Sequence, residues 1–326
     1  MIVLVALAAQ VSAVEIDWTL VGNPGNPCDP QGTGIPEQEG CFGSVNEYYN
    51  IGTYEVTHAQ YTEFLNAKAA SDPLGLYHPY MGVPAYGGAI ARTGDAGSYS
   101  YAVIPGLENQ PVNFVSFADA LRFANWLHNG QGAGGTETGA YTLLGGTETP
   151  TNATTVTRNP AAIVFLPSED QWYKAAYYNP VTASYFAYPT GSNTPPTCAA
   201  PGPTPNAASC DGPGSEAEDP DADGPTDVGS FTGSPSPLGT FDQGGNLWEM
   251  SETILAQNSD YRIMRGGMYG LDPISQVSWD RNIASAEGFG AGSALGFRVA
   301  PEPGRAALLG AGLALLVAVD RLRHRW

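Results

Sequence analysis

Apolar residues recur at helical spacing just after a strand-like segment in the first quarter of the chain. Residues 51–56 have the character of a strand. Thr57 then occupies the position of a helix N-cap, and Tyr61, Phe64 and Leu65 would lie on one face of the helix that follows. The pattern predicts a strand over 51–56 and an amphipathic helix from Thr57 to Ala67.

Two further helices are predicted downstream, each with a serine as its N-cap. The first follows Ser116 and is ended by Gly130, because glycine commonly terminates helices. Its apolar stripe consists of Ala118, Leu121, Ala124, Trp126 and Leu127. The second runs from Ser168 through Tyr178, and its first turn carries two acids, which the helix dipole favours at that end.

Elsewhere the chain is rich in residues that form turns. Its 41 glycines and 27 prolines favour loops over a helical bundle or repeated βαβ units. Residues 188–225 are dense in Pro, Gly, Ser, Thr and Asp and predict a long surface loop. Because 326 residues with 42% hydrophobic side chains can enclose a sizeable core, we expect a globular, loop-rich α+β fold.

The charge balance argues against one class of partner. Asp and Glu number 32 against 13 Lys and Arg, which gives a formal net charge of -19. Such a chain repels phosphate backbones, so we expect no nucleic-acid partner.

The N-terminus has the features of an export signal. An apolar run at residues 2–9 precedes Val11, Ser12 and Ala13, a small-residue pattern that signal peptidases accept. This predicts a signal peptide over 1–13 and a mature start near Val14, although the basic segment that normally opens such a signal is missing. A buried N-terminal strand is the alternative.

The C-terminus combines a short motif, an apolar stretch and a basic tail. Residues 301–304 have the sequence PEPG, residues 306–319 form the apolar stretch, and Arg321, Arg323 and Arg325 follow it. Fourteen residues fall short of the ~20 that span a bilayer, so a core helix is the alternative. The arginines favour a cytoplasmic stop instead.

This arrangement resembles the PEP-CTERM sorting signal of Gram-negative bacteria. The resemblance implies that residues 301–326 form a hydrophobic helix, which anchors the protein in the membrane until exosortase-type machinery processes it. We therefore expect an exported protein of the cell envelope or cell surface, anchored at least transiently.

Four cysteines occur as two local pairs. Cys28 with Cys41 and Cys198 with Cys210 each close a short loop rich in turn-forming residues, and no C-x-x-C metal spacing occurs. In an exported protein such pairs are expected to form disulfides. Four free thiols are the alternative.

Five sequence blocks, in a fixed order, carry a resemblance to a known family. They are IGTYEVTHAQY at 51–61, QPVNFVS at 110–116, FLPSEDQW at 165–172, GGNLWE at 244–249, and a closing segment from RGG at 265–267 to LGFR at 295–298. These blocks resemble the formylglycine-generating (sulfatase-modifying factor) family. The resemblance implies one domain over 14–300, folded as a loop-rich variant of the C-type lectin fold with bound calcium.

The chain departs from the family at its catalytic position. Catalytic members carry two cysteines shortly after the Gly-Gly pair, where they bind copper and oxidise a substrate cysteine. Residues 268–276 contain no cysteine, and Leu271 and Gln276 cannot supply the thiolate that holds Cu(I). Copper is therefore not expected. Iron-dependent relatives need a His-rich site on a partner domain, whereas the four histidines here are scattered.

The resemblance also implies a calcium site at the GGNLWE block. Matching the family residue by residue gives the ligands Asp242, Gly245, Leu247 and Glu249, the middle two through backbone carbonyls. Calcium takes several converging oxygen donors of this kind. In the alternative interpretation, Asp242 caps a turn and Glu249 is a solvated or salt-bridged surface acid.

A second calcium loop is predicted in the turn-rich segment. It has the pattern D-x-D-x-D-G, with acids at Asp219, Asp221, Asp223 and Asp227. Ser230 replaces the bidentate Glu of an EF-hand, and the resemblance adds Asn206 and Ala207 as partners. A flexible acidic loop is the alternative.

A ligand groove is expected in residues 268–292, where the family has its active site. This segment mixes aromatic with polar groups, and the candidates are Tyr269, Asp272, Trp279, Arg281 and Asn282. For Trp126, Trp172 and Trp248, core packing is the expected role. Arg265 and Arg298 are expected to pair with buried acids.

These features support two hypotheses of different class. The first is a non-catalytic, calcium-stabilised module for binding or for cell-surface or matrix structure, with an extracellular polysaccharide or a surface protein as partner. The alternative is a formylglycine-generating-type oxidoreductase, or another protein-modifying enzyme, with a non-standard site. The sequence identifies no catalytic residue.

Overall fold

The computed structural model describes residues 13–32, 39–212, 224–287 and 294–302. Three α-helices lie in these ranges: α1 His58–Lys68, α2 Phe117–His128 and α3 Glu169–Tyr177. The strands are β1 Trp18–Val21, β2 Asp29–Gln31, β3 Gly40–Phe42, β4 Tyr49–Gly52, β5 Ile90–Thr93, β6 Ser100–Val103, β7 Val164–Phe165, β8 Tyr178–Asn179, β9 Ser184–Tyr185, β10 Thr197–Cys198, β11 Ala207–Ala208, β12 Trp248–Ile254, β13 Tyr261–Arg265, β14 Asn282–Ser285, β15 Leu295–Gly296 and β16 Ala300–Pro301. The expectation of a loop-rich α+β fold is confirmed.

The helices begin where the sequence predicts. Thr57, Ser116 and Ser168 are the N-caps, and each accepts a hydrogen bond from the backbone N–H three residues on. In each case the side chain of that third residue also accepts from the N-cap backbone N–H. These reciprocal pairs satisfy donors that a helix start would otherwise leave unpaired, which explains why short helices begin sharply in a loop-rich chain.

The strand predicted over 51–56 is wrong beyond Gly52. β4 pairs antiparallel with β1 and ends at Gly52. The following backbone turns to other partners, since Thr53 N–H donates to the Asp17 carbonyl at 2.8 Å and Val56 N–H donates to the Phe297 carbonyl at 2.9 Å. The chain therefore leaves the β1–β4 pair to bond with the C-terminal segment.

The largest sheet of the described residues has the strand order β14-β13-β12-β15. β12 runs antiparallel to β13 and parallel to β15, with Glu249 opposite both Arg265 and Gly296. The other pairings are two-stranded, including β16 with β7, where Pro301 lies opposite Val164. This arrangement carries the GGNLWE block directly into the centre of the sheet.

The two predicted disulfides are confirmed. Cys28–Cys41 joins the β2–β3 hairpin, and Cys198–Cys210 closes the loop that contains the parallel strands β10 and β11. No cysteine of the chain is left as a free thiol.

The predictions for the two termini fall largely outside the described ranges. Of the signal peptide only Ala13 is described, and of the 301–326 segment only Pro301 and Glu302. Within the described residues, no helix is long and apolar enough to cross a membrane.

The core between α1 and α2 is built on aromatic rings. Phe123 is fully buried and lies 5.5 Å from Phe64, 5.8 Å from Trp126, 5.9 Å from Tyr61 and 5.5 Å from Phe297 (ring centroids). Because Phe297 belongs to the C-terminal segment, this cluster joins the helical layer to the sheet.

We expect Phe123→Ala to lower the free energy of unfolding by about 3–5 kcal/mol, because it empties the centre of this cluster. Chemical denaturation measures the change. Leu144→Ala is the control, since Leu144 is 51% exposed and its loss should cost less than about 0.5 kcal/mol. Equal effects of the two substitutions would contradict the central role of Phe123.

A buried acid lies at the start of α2. The carboxylate of Asp119 accepts hydrogen bonds from the backbone and side chain of Ser116, at 2.9 and 2.7 Å. Its other oxygen is 3.9 Å from Arg122. Burial raises the pKa of Asp119 to about 7. The folded protein therefore holds this proton more tightly than the unfolded chain does.

Asp119 should make the protein less stable as the pH rises. Its folded pKa lies above the unfolded value, so its stabilising contribution is complete below about pH 4 and is lost as the pH rises towards about 7. We expect Asp119→Asn to flatten this pH dependence by on the order of 3 kcal/mol between pH 4 and pH 8. Unfolding followed across that range tests this, and parallel curves for the two proteins would contradict it.

Candidate functional site

The GGNLWE block leads into a fully buried ion pair. Arg298 donates from Nε and Nη2 to both carboxylate oxygens of Glu249, and both side chains are completely buried. Trp172 Nε1 donates to the same carboxylate at 2.8 Å. Glu249 is thus neither solvated nor on the surface, and the expected pairing of Arg298 with a buried acid is confirmed.

Two more carboxyl groups face the same guanidinium. Asp242 and Glu55 both interact electrostatically with Arg298 and with Glu249. We call Glu55, Asp242, Glu249 and Arg298 the buried acid centre. With three acids and one cation it has an excess of negative charge when all of them are ionised.

Burial disfavours the ionised forms of two acids in the buried acid centre, Asp242 and Glu55. The Asp242 residue keeps some exposed surface, but its carboxyl group lies inside the protein, and burial raises the pKa of Asp242 to about 6. Burial also raises the pKa of Glu55 well above its ordinary value. Glu55 Oε2 accepts from Asn246 Nδ2 at 2.7 Å, while its Oε1 has no hydrogen-bond partner.

The turn before Glu249 has a backbone that few residues tolerate. Asp242, Gly245 and Asn246 have φ values of 60°, 79° and 58°, in the left-handed region. A Cβ at Gly245 would lie 1.9 Å from the Ser209 carbonyl oxygen, so only glycine fits there. Of the four predicted calcium ligands, Asp242, Gly245 and Leu247 lie in this turn, and Glu249 is the second residue of β12.

The donor chemistry of this loop fits a hard divalent cation. Carboxylate and carbonyl oxygens are what calcium prefers, and the orphaned Glu55 oxygen lies in a centre with more acids than cations. In the described residues, no group of three or more His, Cys, Asp or Glu side chains is arranged to hold a metal. Calcium would therefore need the backbone carbonyls of the loop as well as its acids.

The second predicted calcium loop is described only at its edges. Asp219, Asp221 and Asp223 lie outside the described residues. Asp227 is exposed. The side chain of Asn206 is hydrogen-bonded nearby, since its Oδ1 accepts from Thr190 Oγ1 at 2.6 Å.

The predicted ligand groove contains a second buried charge cluster. Arg265 and Arg281 both donate to the carboxylate of Glu169, with four contacts of 2.7–2.9 Å. The expected pairing of Arg265 with a buried acid is confirmed. Sequence reasoning missed that Arg281 shares this acid, because the two residues are 112 positions apart.

The other groove candidates have mixed environments. Asp272 caps the 3₁₀ helix Pro273–Gln276, with its Oδ1 accepting from Ile274 N–H at 2.8 Å. Tyr269 is half-buried and Asn282 is exposed at the start of β14. Trp279 is 39% exposed, whereas Trp126, Trp172 and Trp248 are buried, as expected for core residues.

Two described cavities flank the buried acid centre rather than the groove. One is lined by Asp242 together with Thr190, Ala207, Phe231 and Thr240. The other is lined by Glu55 together with Asp17, Tyr54, Thr57 and Gln60. Neither takes a wall from residues 268–287.

The fold and these blocks agree with a known family. The sequence profile of the FGE-sulfatase family, the sulfatase-modifying factor enzyme 1-like domain, matches residues 43–303. The chain belongs to this family. A comparison with curated protein sequences finds no significant match.

Solved structures with the same fold have low sequence identity. The crystal structure of CarF is similar with a TM-score of 0.57 and 20% identity, over 88% of this chain and 98% of CarF. Treponema denticola variable protein 1 is similar with a TM-score of 0.51 and 17% identity, over 90% of this chain and 98% of that protein. At such identities the similarity shows the fold alone.

We expect Glu169→Gln to lower the free energy of unfolding by about 3–5 kcal/mol, since it leaves two largely buried guanidinium groups without a counter-charge. Glu108→Gln is the control, because Glu108 is exposed and should contribute less than about 0.5 kcal/mol. A loss below about 1 kcal/mol for Glu169→Gln would mean that these arginines are not held by Glu169, and would favour Arg281 as a ligand-binding group.

Proposed function

We propose that this chain is an exported, envelope-anchored protein whose sulfatase-modifying-factor-like domain is non-catalytic, is stabilised by calcium, and serves binding or cell-surface structure. The observation that carries the proposal is the residue pair Leu271 and Gln276, which stands where the catalytic members of the family have cysteines.

The backbone carbonyls of these two residues are hydrogen-bonded within the fold. The Leu271 carbonyl accepts from Asp211 N–H at 2.9 Å, and the Gln276 carbonyl accepts from the Tyr177 hydroxyl at 3.0 Å. Gln276 is fully buried. All four cysteines of the chain are in disulfides, so no thiolate is available to bind Cu(I) in the manner of the family.

Calcium would be held by the loop that carries Asp242, Gly245, Leu247 and Glu249. Its contribution would be positive charge, which offsets the repulsion among the three acids of the buried acid centre. Glu55 supports this assignment, because a buried carboxylate oxygen without a hydrogen-bond partner is costly unless a cation compensates it.

Several features support export. Disulfides persist in oxidising compartments outside the cytoplasm, and this chain forms two. The apolar N-terminus and the PEPG–apolar–arginine pattern at 301–326 support processing by an exosortase-type enzyme at a Gram-negative envelope.

Family membership favours one alternative, an oxidoreductase or other protein-modifying enzyme with a non-standard site. Elemental analysis of the purified protein separates the two. Calcium without copper or iron supports the binding module, and stoichiometric copper or iron would overturn it.

Asp242→Asn tests the calcium site, because the stability difference between wild type and variant should change sign when calcium is removed. With calcium present, we expect the wild type to be more stable than the Asp242→Asn variant. Calcium binding should contribute roughly 3 kcal/mol to the wild type when the calcium concentration is 100 times its Kd. With a chelator, we expect the variant to be at least as stable as the wild type, because it removes an acid that burial disfavours. Melting temperature with and without chelator measures both effects.

Asp260→Asn is the matched control, since Asp260 is exposed and lies outside the loop. Its melting temperature should follow the wild type in both conditions. A wild-type melting temperature that chelation leaves unchanged would contradict the calcium assignment.

A further inference from the structure

Four aromatic side chains outside the predicted groove form one continuous cluster. His78 stacks nearly parallel on Phe114, with ring centroids 5.5 Å apart and planes at 12°. Tyr80 contacts His78 at 5.2 Å, Phe114 at 5.6 Å and Tyr86 at 5.2 Å. We call this cluster the aromatic platform.

The outer half of the aromatic platform is exposed. Tyr80 and Tyr86 are 50% and 51% exposed, whereas Phe114 beneath them is 8% exposed. The planes of the two tyrosines meet at 65°, so they present two differently inclined ring faces. The two adjacent exposed rings give a ligand two apolar faces on which to stack.

The backbone holds the two tyrosines in place. They lie on consecutive 3₁₀ turns, Pro79–Gly82 and Pro84–Tyr86, each of which begins with a proline that fixes φ. Met81 between them is fully buried and anchors the first turn in the core. Asn113 Nδ2 donates to the Tyr86 carbonyl at 3.1 Å and anchors the second. The platform is thus ordered before any ligand arrives, which lowers the entropic cost of binding.

Phe114 is strained. Its φ is 56°, a left-handed value that bulky side chains rarely adopt and that costs on the order of 1 kcal/mol or more. This conformation places its ring against His78 and Tyr80. Strain of this kind persists where the surrounding structure or a function requires it.

Charge and size narrow the class of ligand. None of the four platform residues is a lysine or an arginine, and the chain carries a net charge of -19. An acidic polymer would therefore be repelled. Two half-exposed tyrosines offer roughly 200 Å², far below the ~800 Å² per partner of a stable protein–protein interface. A short run of uncharged sugar rings fits this area.

We propose that the aromatic platform of His78, Tyr80, Tyr86 and Phe114 binds a neutral polysaccharide by stacking sugar rings on Tyr80 and Tyr86. The assignment rests on the proposed binding function and specifies its ligand class and location. The phenol edges and His78 add polar groups beside the ring faces, which suits a ligand that is apolar on its faces and hydroxylated at its rim.

Affinity electrophoresis of the full-length protein tests the proposal. Native gels contain laminarin, hydroxyethylcellulose or galactomannan as neutral probes, and alginate as the acidic probe. We expect at least one neutral polysaccharide to retard the wild type and alginate not to. Tyr80→Ala and Tyr86→Ala should each weaken retardation about tenfold.

Two control variants keep the test specific. Tyr80→Phe should retain binding within about threefold, because the ring face and not the hydroxyl carries the contact. Tyr48→Ala removes a tyrosine that is 57% exposed outside the platform and should leave binding unchanged. Melting temperatures confirm that each variant is folded.

The contrary outcomes are distinct. If Trp279→Ala abolishes retardation while Tyr80→Ala and Tyr86→Ala do not, the binding function stands and the platform assignment is wrong. If no neutral probe retards the wild type, the assignment is also wrong and a protein partner is favoured, while the metal content of the purified protein still decides the proposed function.

Discussion

The buried ion pair between Arg298 and Glu249 is the interaction on which the rest of the structure depends. Besides Glu249, Arg298 donates to the carbonyls of Gly52 and Phe241, at 3.0 Å each. Trp172 of α3 donates to the same carboxylate. One guanidinium thus connects the first strands, the turn from Asp242 to Leu247, α3 and the C-terminal segment. Such a pair gives little net energy over apolar packing, but losing either partner would leave a buried charge uncompensated.

Elsewhere in the fold, buried arginines hold loops together by hydrogen bonds to backbone carbonyls. Arg122, Arg262 and Arg265, like Arg298, are fully buried and donate to backbone carbonyls. Each satisfies loop carbonyls that no sheet ladder or helix reaches. Because a guanidinium has five donors in a planar fork, one residue can hold two or three loops in a fixed geometry. This explains how a chain with short strands and many turns keeps a specific fold.

Features that depend on residues close together in the sequence could be predicted from it, whereas features that depend on distant residues could not. The N-caps Thr57, Ser116 and Ser168 were found because capping depends on residues three positions apart. The cysteine pairs were found because each closes a short loop. The early end of β4 was missed, since it depends on a carbonyl at Phe297.

The candidate site divides in the same way. The loop from Asp242 to Glu249 could be placed from its motif, and its calcium site stays a prediction. The role of Glu55 as a third acid, and the sharing of Glu169 by two arginines, depend on contacts between distant segments that no local pattern records. The aromatic platform was missed for a related reason, because Tyr80 and Tyr86 lie in a turn-rich stretch and only exposure distinguishes them from core rings.

The separation between charge centres and the aromatic platform has a functional consequence. The acids and arginines that define the fold are buried, so substitutions there change stability before they change recognition. Tyr80 and Tyr86 make no ion pair, and their ring faces point outward from turns that Met81 and Asn113 hold in place. Recognition on such a surface can vary while the scaffold stays intact, as expected of a fold that hosts unrelated functions. Tyr80 and Tyr86 lie outside the segment that carries Leu271 and Gln276, so the proposed sugar binding does not depend on the cysteine pair of the catalytic members.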